Sequence, residues 1–128
     1  METIKQENKD IHAAEAESLY DLSMLEEMDD NEYVCEILKI FIKDTPVELK
    51  ALKDAANKCN AEAVVQKAHK IKGSAGIIQA EKMCILLKEI ENTAKAGVTS
   101  NITSLIDDTQ ELYNKIEPDL KNYLQQFK

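Results

Sequence analysis

Residues 31–59 read NEYVCEILKIFIKDTPVELKALKDAANKC, and the placing of their apolar side chains decides the fold. Val34, Leu38, Phe41, Thr45, Leu49, Leu52, Ala56 and Cys59 recur at threes and fours, the period at which side chains return to one face of an α-helix. The stripe is about seven turns long. Pro46 falls inside it, and Thr45-Pro46-Val47-Glu48 has the form of a helix start, with threonine as cap and proline at the first helical position. The stripe keeps its phase across the proline, so the spacing predicts one kinked helix rather than two.

Working outward, Ser23-Met24-Leu25-Glu26 has the form of a capping box and predicts a short helix that ends near Asp29. After a turn at residues 57–60, Asn60 is placed to cap a helix from about Ala61 to Ile78, with Val64, Ala68, Ile71, Ala75 and Ile78 as its apolar stripe. A further helix, about Glu81 to Ala96, carries Met83, Leu87, Ile90 and Ala94 and stops at Gly97, a natural left-handed cap. The last begins near Asn101 with Ile102, Leu105, Thr109, Leu112, Ile116, Leu120, Tyr123 and Phe127 on one face, and Pro118 as an expected kink. Four amphipathic helices with short connections predict an all-α, antiparallel four-helix bundle with a short additional N-terminal helix. Residues 18–128 form that domain. Residues 1–17 show no sustained apolar period and read as a polar lead-in, with His12 a solvated histidine.

Composition agrees. The 128 residues include three glycines and two prolines, too few turn-formers for a many-stranded sandwich. All 16 basic residues are lysines and stand against 24 acids, for a net charge of −8. A chain so acidic is poorly suited to nucleic acid, whose binding depends on a basic face that displaces counterions. No stretch approaches the roughly 20 apolar residues of a membrane span, and METIKQENKD lacks the apolar run of a signal peptide. A cytoplasmic location, no membrane association and a freestanding monomer are expected. Cys35, Cys59 and Cys84 match neither a disulfide framework nor a metal-binding pair, and read as buried reduced thiols.

One segment breaks the rules of its own helix. At about 100° per residue, His69 points roughly 140° from the centre of the Val64 to Ile78 stripe and so faces outward. Gln66, Gly73 and Gly76 share that outer face. A glycine inside a helix costs on the order of 1 kcal/mol against alanine. On an exposed face the return is absence of bulk, which lets another molecule approach closely, so Gly73 and Gly76 mark a docking face centred on His69. From Ala63 through Ala80 the chain carries Lys67, Lys70 and Lys72 and no acid, a positive island in an acidic molecule. Lys72, three residues beyond the histidine, can reach an anion attached to the imidazole. Glycine packing against a neighbouring helix, or an early helix end at Gly76, are the structural alternatives.

His69-Lys70-Ile71-Lys72-Gly73-Ser74-Ala75 resembles the signature of histidine-containing phosphotransfer (HPt) domains. The likeness extends over about residues 18–127, through Tyr20-Asp21-Leu22-Ser23, Phe41-Ile42-Lys43-Asp44-Thr45-Pro46 and the helix lengths. The resemblance implies that His69 accepts a phosphoryl group from a receiver-domain aspartyl phosphate and passes it to another receiver. Lys72 would neutralise phosphate charge, Gly73 would admit the receiver loop, and Ser74 would support the helix or the phosphate network. Gln66, Lys70, Gly76 and Val65 would belong to the partner-binding face, with Ile77 a further apolar candidate on it, though more readily a core residue. The partners implied are response-regulator receivers, those of hybrid sensor kinases included. No cofactor or metal site is expected in this chain, the divalent metal being on the receiver; no nucleotide loop is present, so it would be a carrier and not an autonomous kinase. Gln79 departs from the pattern, which has glycine there; if that glycine serves a tight helix exit, Gln79 must find another conformation. The alternative function is a non-catalytic helical module that sequesters a receiver or another partner through the same face.

Overall fold

A computed structural model describes residues 19–98 and 100–127; the expected lead-in over residues 1–17, with His12, lies outside the described residues. Among the described residues five helices follow one another: α1 (Ser23–Glu26), α2 (Asn31–Asn57), α3 (Ala61–Ile77), α4 (Glu81–Lys95) and α5 (Ile102–Gln125). α2 runs unbroken through Pro46 and α5 through Pro118. Each long helix packs against its neighbours in sequence, and α5 returns to α2 to close the ring. Connections this short force antiparallel neighbours. The start of α2, the end of α3, the start of α4 and the end of α5 therefore share one end of the bundle. α1 and its approach lie across that end: the Asp21 N–H donates to the Ile78 carbonyl at 2.9 Å, the Tyr123 hydroxyl donates to Glu26 Oε2 at 2.9 Å, and the Tyr20 hydroxyl donates to Asp119.

The core is the set of inward stripes, among them Val34, Leu38, Leu49, Leu52, Val64, Ala68, Ile71, Met83, Leu87, Ile90 and Ile116. On α5 the buried row is Ile102, Ile106, Thr109, Tyr113, Ile116 and Leu120. Leu105 and Leu112 are only half-buried, and Phe127 is exposed, so the expected stripe lay one position off centre. Tyr113 explains the shift. Its ring packs on Phe41 with centroids 5.8 Å apart, and its hydroxyl donates to the Ile42 carbonyl at 3.0 Å, as buried polar groups must. Thr109 likewise donates to the Leu105 carbonyl at 2.8 Å.

The helix ends show where local chemistry was read correctly and where it was not. Asn60 caps α3 by accepting from the Ala63 N–H at 3.2 Å. Gly97 takes φ +79° after α4, with the Gly97 and Val98 amides bonded to the Ala94 and Thr93 carbonyls, a Schellman closure. The expected capping box at Ser23 does not form. The Ser23 N–H instead donates to Asp21 Oδ1 at 2.9 Å, and Glu26 is drawn away to Tyr123. Cys59, expected on the α2 stripe, is exposed at φ +55° just beyond the helix, and Cys35 and Cys84 are half-buried. The three thiols are free, as expected, but none is buried.

Candidate functional site

His69 sits midway along α3, its neighbours Ala68 and Ile71 turned into the core, so the geometry of the helix drives the imidazole outward. Its side chain is 70% exposed. One edge of the ring nevertheless faces a carboxylate. Nδ1 lies 3.4 Å from Oε1 of Glu91, on the adjacent helix α4, a separation long for a hydrogen bond. The same oxygen receives the Lys72 ammonium at 3.1 Å, and Lys95, one turn further along α4, reaches Oε2 at 3.0 Å. Nε2, on the opposite edge of the ring, meets no ion-pair or hydrogen-bond partner among the described residues.

Glu91 is the residue that the sequence reading missed. Its side chain is only 9% exposed, yet it remains ionised. The hydrogen bond from Lys95, seconded by that from Lys72, outweighs the penalty of burial and brings its pKa from 4.5 down to about 2. Its signal in the sequence was slight: a carboxylate directly after Ile90 and three residues before Ala94, at the margin of a core stripe. The positive island around His69 is therefore partly offset in space, where Glu48 and Glu91 stand against Lys67, Lys70, Lys72 and Lys95. Glu48 of α2 takes Lys70 at 3.1 Å and Lys67 at 3.4 Å, and its carboxyl is held below the usual range chiefly by Lys70. Lys70 is thus committed to the α2 side, away from the Glu91 cluster.

The other residues singled out divide between two faces. Gln66, Gly73 and Gly76 are exposed with His69, and a Cβ added at either glycine would meet nothing within 4 Å. No neighbouring helix requires those glycines, and α3 continues past Gly76 to Ile77. Beyond Gly76 the surface becomes a shallow groove with Gln79, Cys84 and the exposed side chains of Met24 and Ile85. Ser74 is half-buried and lines a small cavity between α2 and α3 with Phe41, Thr45 and Ile71; it stands apart from the imidazole. Val65 is half-buried against the core, whereas Ile77, read more readily as a core residue, is exposed. Among the described residues no three His, Cys, Asp or Glu side chains are grouped to hold a metal ion, and no helix is long and apolar enough to cross a membrane.

An exposed imidazole, a lysine three residues on and two glycines with no internal packing role coincide with a match to a model of the Hpt domain family, which covers residues 36–128. The chain belongs to the Hpt domain family. Its fold is similar to the crystal structure of histidine-containing phosphotransfer protein B (HptB) from Pseudomonas aeruginosa PAO1, with a TM-score of 0.81, 25% identity, and coverage of 86% of this chain and 97% of that one. Among curated proteins no match is found. As an Hpt domain this chain is a phosphotransfer module of two-component signalling. The departure at Gln79 resolves differently from expectation: Gln79 does not seek another conformation but takes the left-handed one itself, at φ +51°, closing α3 through the Gln79 and Ala80 amides bonded to the Gly76 and Ala75 carbonyls.

Proposed function

We propose that this Hpt domain is a phosphorelay intermediate in which Nε2 of His69 takes a phosphoryl group from the aspartyl phosphate of one receiver domain and yields it to the aspartate of another. The observation that carries this reading is the imidazole itself, 70% exposed on α3, with Glu91 facing Nδ1 at 3.4 Å and Nε2 without a partner among the described residues. A neutral imidazole near pH 7 offers one nitrogen lone pair as nucleophile. In the forward step that lone pair forms the N–P bond as the acyl P–O bond breaks, and the departing electron pair stays on the receiver carboxylate. Nδ1 keeps its proton, so the ring becomes a cation. The phosphoryl group brings close to two negative charges, and Lys72 is the ammonium within reach. A divalent metal and in-line positioning come from the receiver, and the exchange belongs in the cytoplasm. Gln66, Gly73, Gly76 and Val65 form the docking face, Lys70 borders it, and Ser74 supports α3 from the α2 side.

Incubation with receivers charged by acetyl phosphate tests this. One acid-labile, base-stable phosphoryl adduct is expected by intact mass, and none on His69→Gln. An adduct that persists in His69→Gln, or no adduct with any of several receivers, refutes the assignment; binding by His69→Gln without any transfer in the wild type would show a sequestering module instead.

A further inference from the structure

We infer that the outer face of α4 and α5 is a self-association surface, on which a second copy of this chain packs two-fold and antiparallel, leaving His69 free in both copies. The first observation is a missing set of internal pairs. Among the described residues, α2 and α3 are bridged by Lys67 and Lys70 on Glu48, α3 and α4 by Lys72 on Glu91, and α2 and α5 by Lys53 on Asp107 at 3.0 Å, but no ion pair joins α4 to α5. Lys82 and Glu89 of α4 and Asp108 and Lys115 of α5 are exposed, and none has an ion-pair or hydrogen-bond partner among the described residues. Between the two helices lies a shallow groove lined by the apolar side chains of Ile85, Leu86 and Leu112. Ile85 is 65% exposed, and Leu86 and Leu112 are half-buried, so this face carries more apolar surface than the bundle encloses.

The placing of the charges selects the occupant. Lys82 and Glu89 stand seven residues apart, as do Asp108 and Lys115, so each pair keeps to one side of its helix with about 10 Å between its members. Because α4 and α5 run antiparallel, both lysines fall toward the α1 end of the face and both acids toward the other. A two-fold axis that crosses the helices sets α4 against α4 and α5 against α5, each antiparallel. Lys82 then meets Glu89 of the second copy, Lys115 meets Asp108, and the reciprocal pairs follow by symmetry, with Ile85 and Leu112 of both copies between them. An axis along the helices would oppose lysine to lysine and acid to acid, which is costly. A surface complementary to itself is what a two-fold dimer requires. Its area sets the strength. α4 has 15 residues and is about 22 Å long; with α5 beside it the face covers about 440 Å² per copy. About 900 Å² in all is below the span of stable interfaces, so the dimer is weak and reversible, and the expected monomer holds at low concentration. Glu91 lies about 120° round α4 from Ile85, which keeps the His69 side clear of the contact. The inference does not rest on the phosphotransfer reading.

Sedimentation velocity of the full chain at low salt, from about 20 μM to about 1 mM, tests this. The weight-average mass should rise from that of a monomer toward that of a dimer across the range, and about 0.5 M sodium chloride should weaken the association at least about threefold. Asp108→Lys and Lys115→Asp, each at an exposed position and confirmed folded by circular dichroism, should singly weaken it at least about tenfold. Together they restore the complementary pattern and should recover it. Ile85→Glu should abolish it. A dimer that neither single reversal weakens, or that the paired reversal fails to recover, overturns the inference. So does a chain that stays monomeric at every concentration; an Ile85→Glu variant of such a chain that binds a receiver more weakly would give the face to the receiver, and one that shifts the amide signals of residues 1–18 would give it to that segment.

Discussion

Replacing Gly73 should make the protein more stable and less able to transfer. The residue lies inside α3, four positions before its last residue, and an added Cβ meets nothing within 4 Å. Gly73→Ala therefore carries no packing term, and the expected gain is the helix-propensity difference, about 1 kcal/mol. For a chain of this size that raises the melting temperature by about 4 °C. In urea unfolding followed by circular dichroism the midpoint should rise by about 0.5 M with an unchanged slope. Gly73→Gln should gain about half as much stability, yet place a long side chain on the strip below His69 and slow receiver-dependent transfer at least about tenfold. The opposite signs matter, since a variant slowed by misfolding loses both. If Gly73→Ala lowers stability, the glycine serves the chain's own packing. If Gly73→Gln transfers at the wild-type rate, the bare strip is not where a partner docks.

Gln79→Gly should raise stability by about 1 kcal/mol in the same unfolding assay, because a side chain at φ +51° crowds its own backbone and glycine does not; a loss would mean that the glutamine side chain contributes more than its backbone strain costs. Acid stability should show Glu91. Its folded-state pKa, depressed from 4.5 to about 2 by Lys95 and then Lys72, gives a contribution complete above pH 4.5 and lost as the pH falls through 2. Linkage caps that contribution at about 3 kcal/mol, and screening of the exposed Lys95 ammonium reduces it to about 1–2 kcal/mol. Glu91→Gln should flatten the stability–pH curve within that window, and a curve parallel to that of the wild type would contradict the pairing.

The bundle was legible because its information is local. Period-3.6 stripes, the Asn60 cap and the Gly97 exit are each written within a few residues, and the phase of α2 across Pro46 was enough to keep it whole. The failures arose where two local signals competed. Ser23 and Glu26 match a capping box, but Asp21 reaches the Ser23 amide first and Tyr123, from the far end of the chain, claims Glu26. The burial of Tyr113 is not legible locally, since the Ile42 carbonyl that satisfies its hydroxyl lies on another helix. The site divided in the same way. His69, Gly73 and Gly76 follow from the phase of one helix, whereas Glu91 and Glu48 enter by the register between helices, which no single stripe specifies.

The pairing of Lys67 and Lys70 with Glu48, and of Lys72 with Glu91, bears on how a partner arrives. Four ammonium groups, Lys67, Lys70, Lys72 and Lys95, share two carboxylates, and the small positive excess that remains is screened within about 8 Å at physiological salt, so long-range steering gives the encounter small acceleration. On the proposed docking face, recognition would then fall to shape and close contact over the bare strip at Gly73 and Gly76. Collision frequency with competing receivers should then differ little from one to another, and discrimination among them falls to how long each stays.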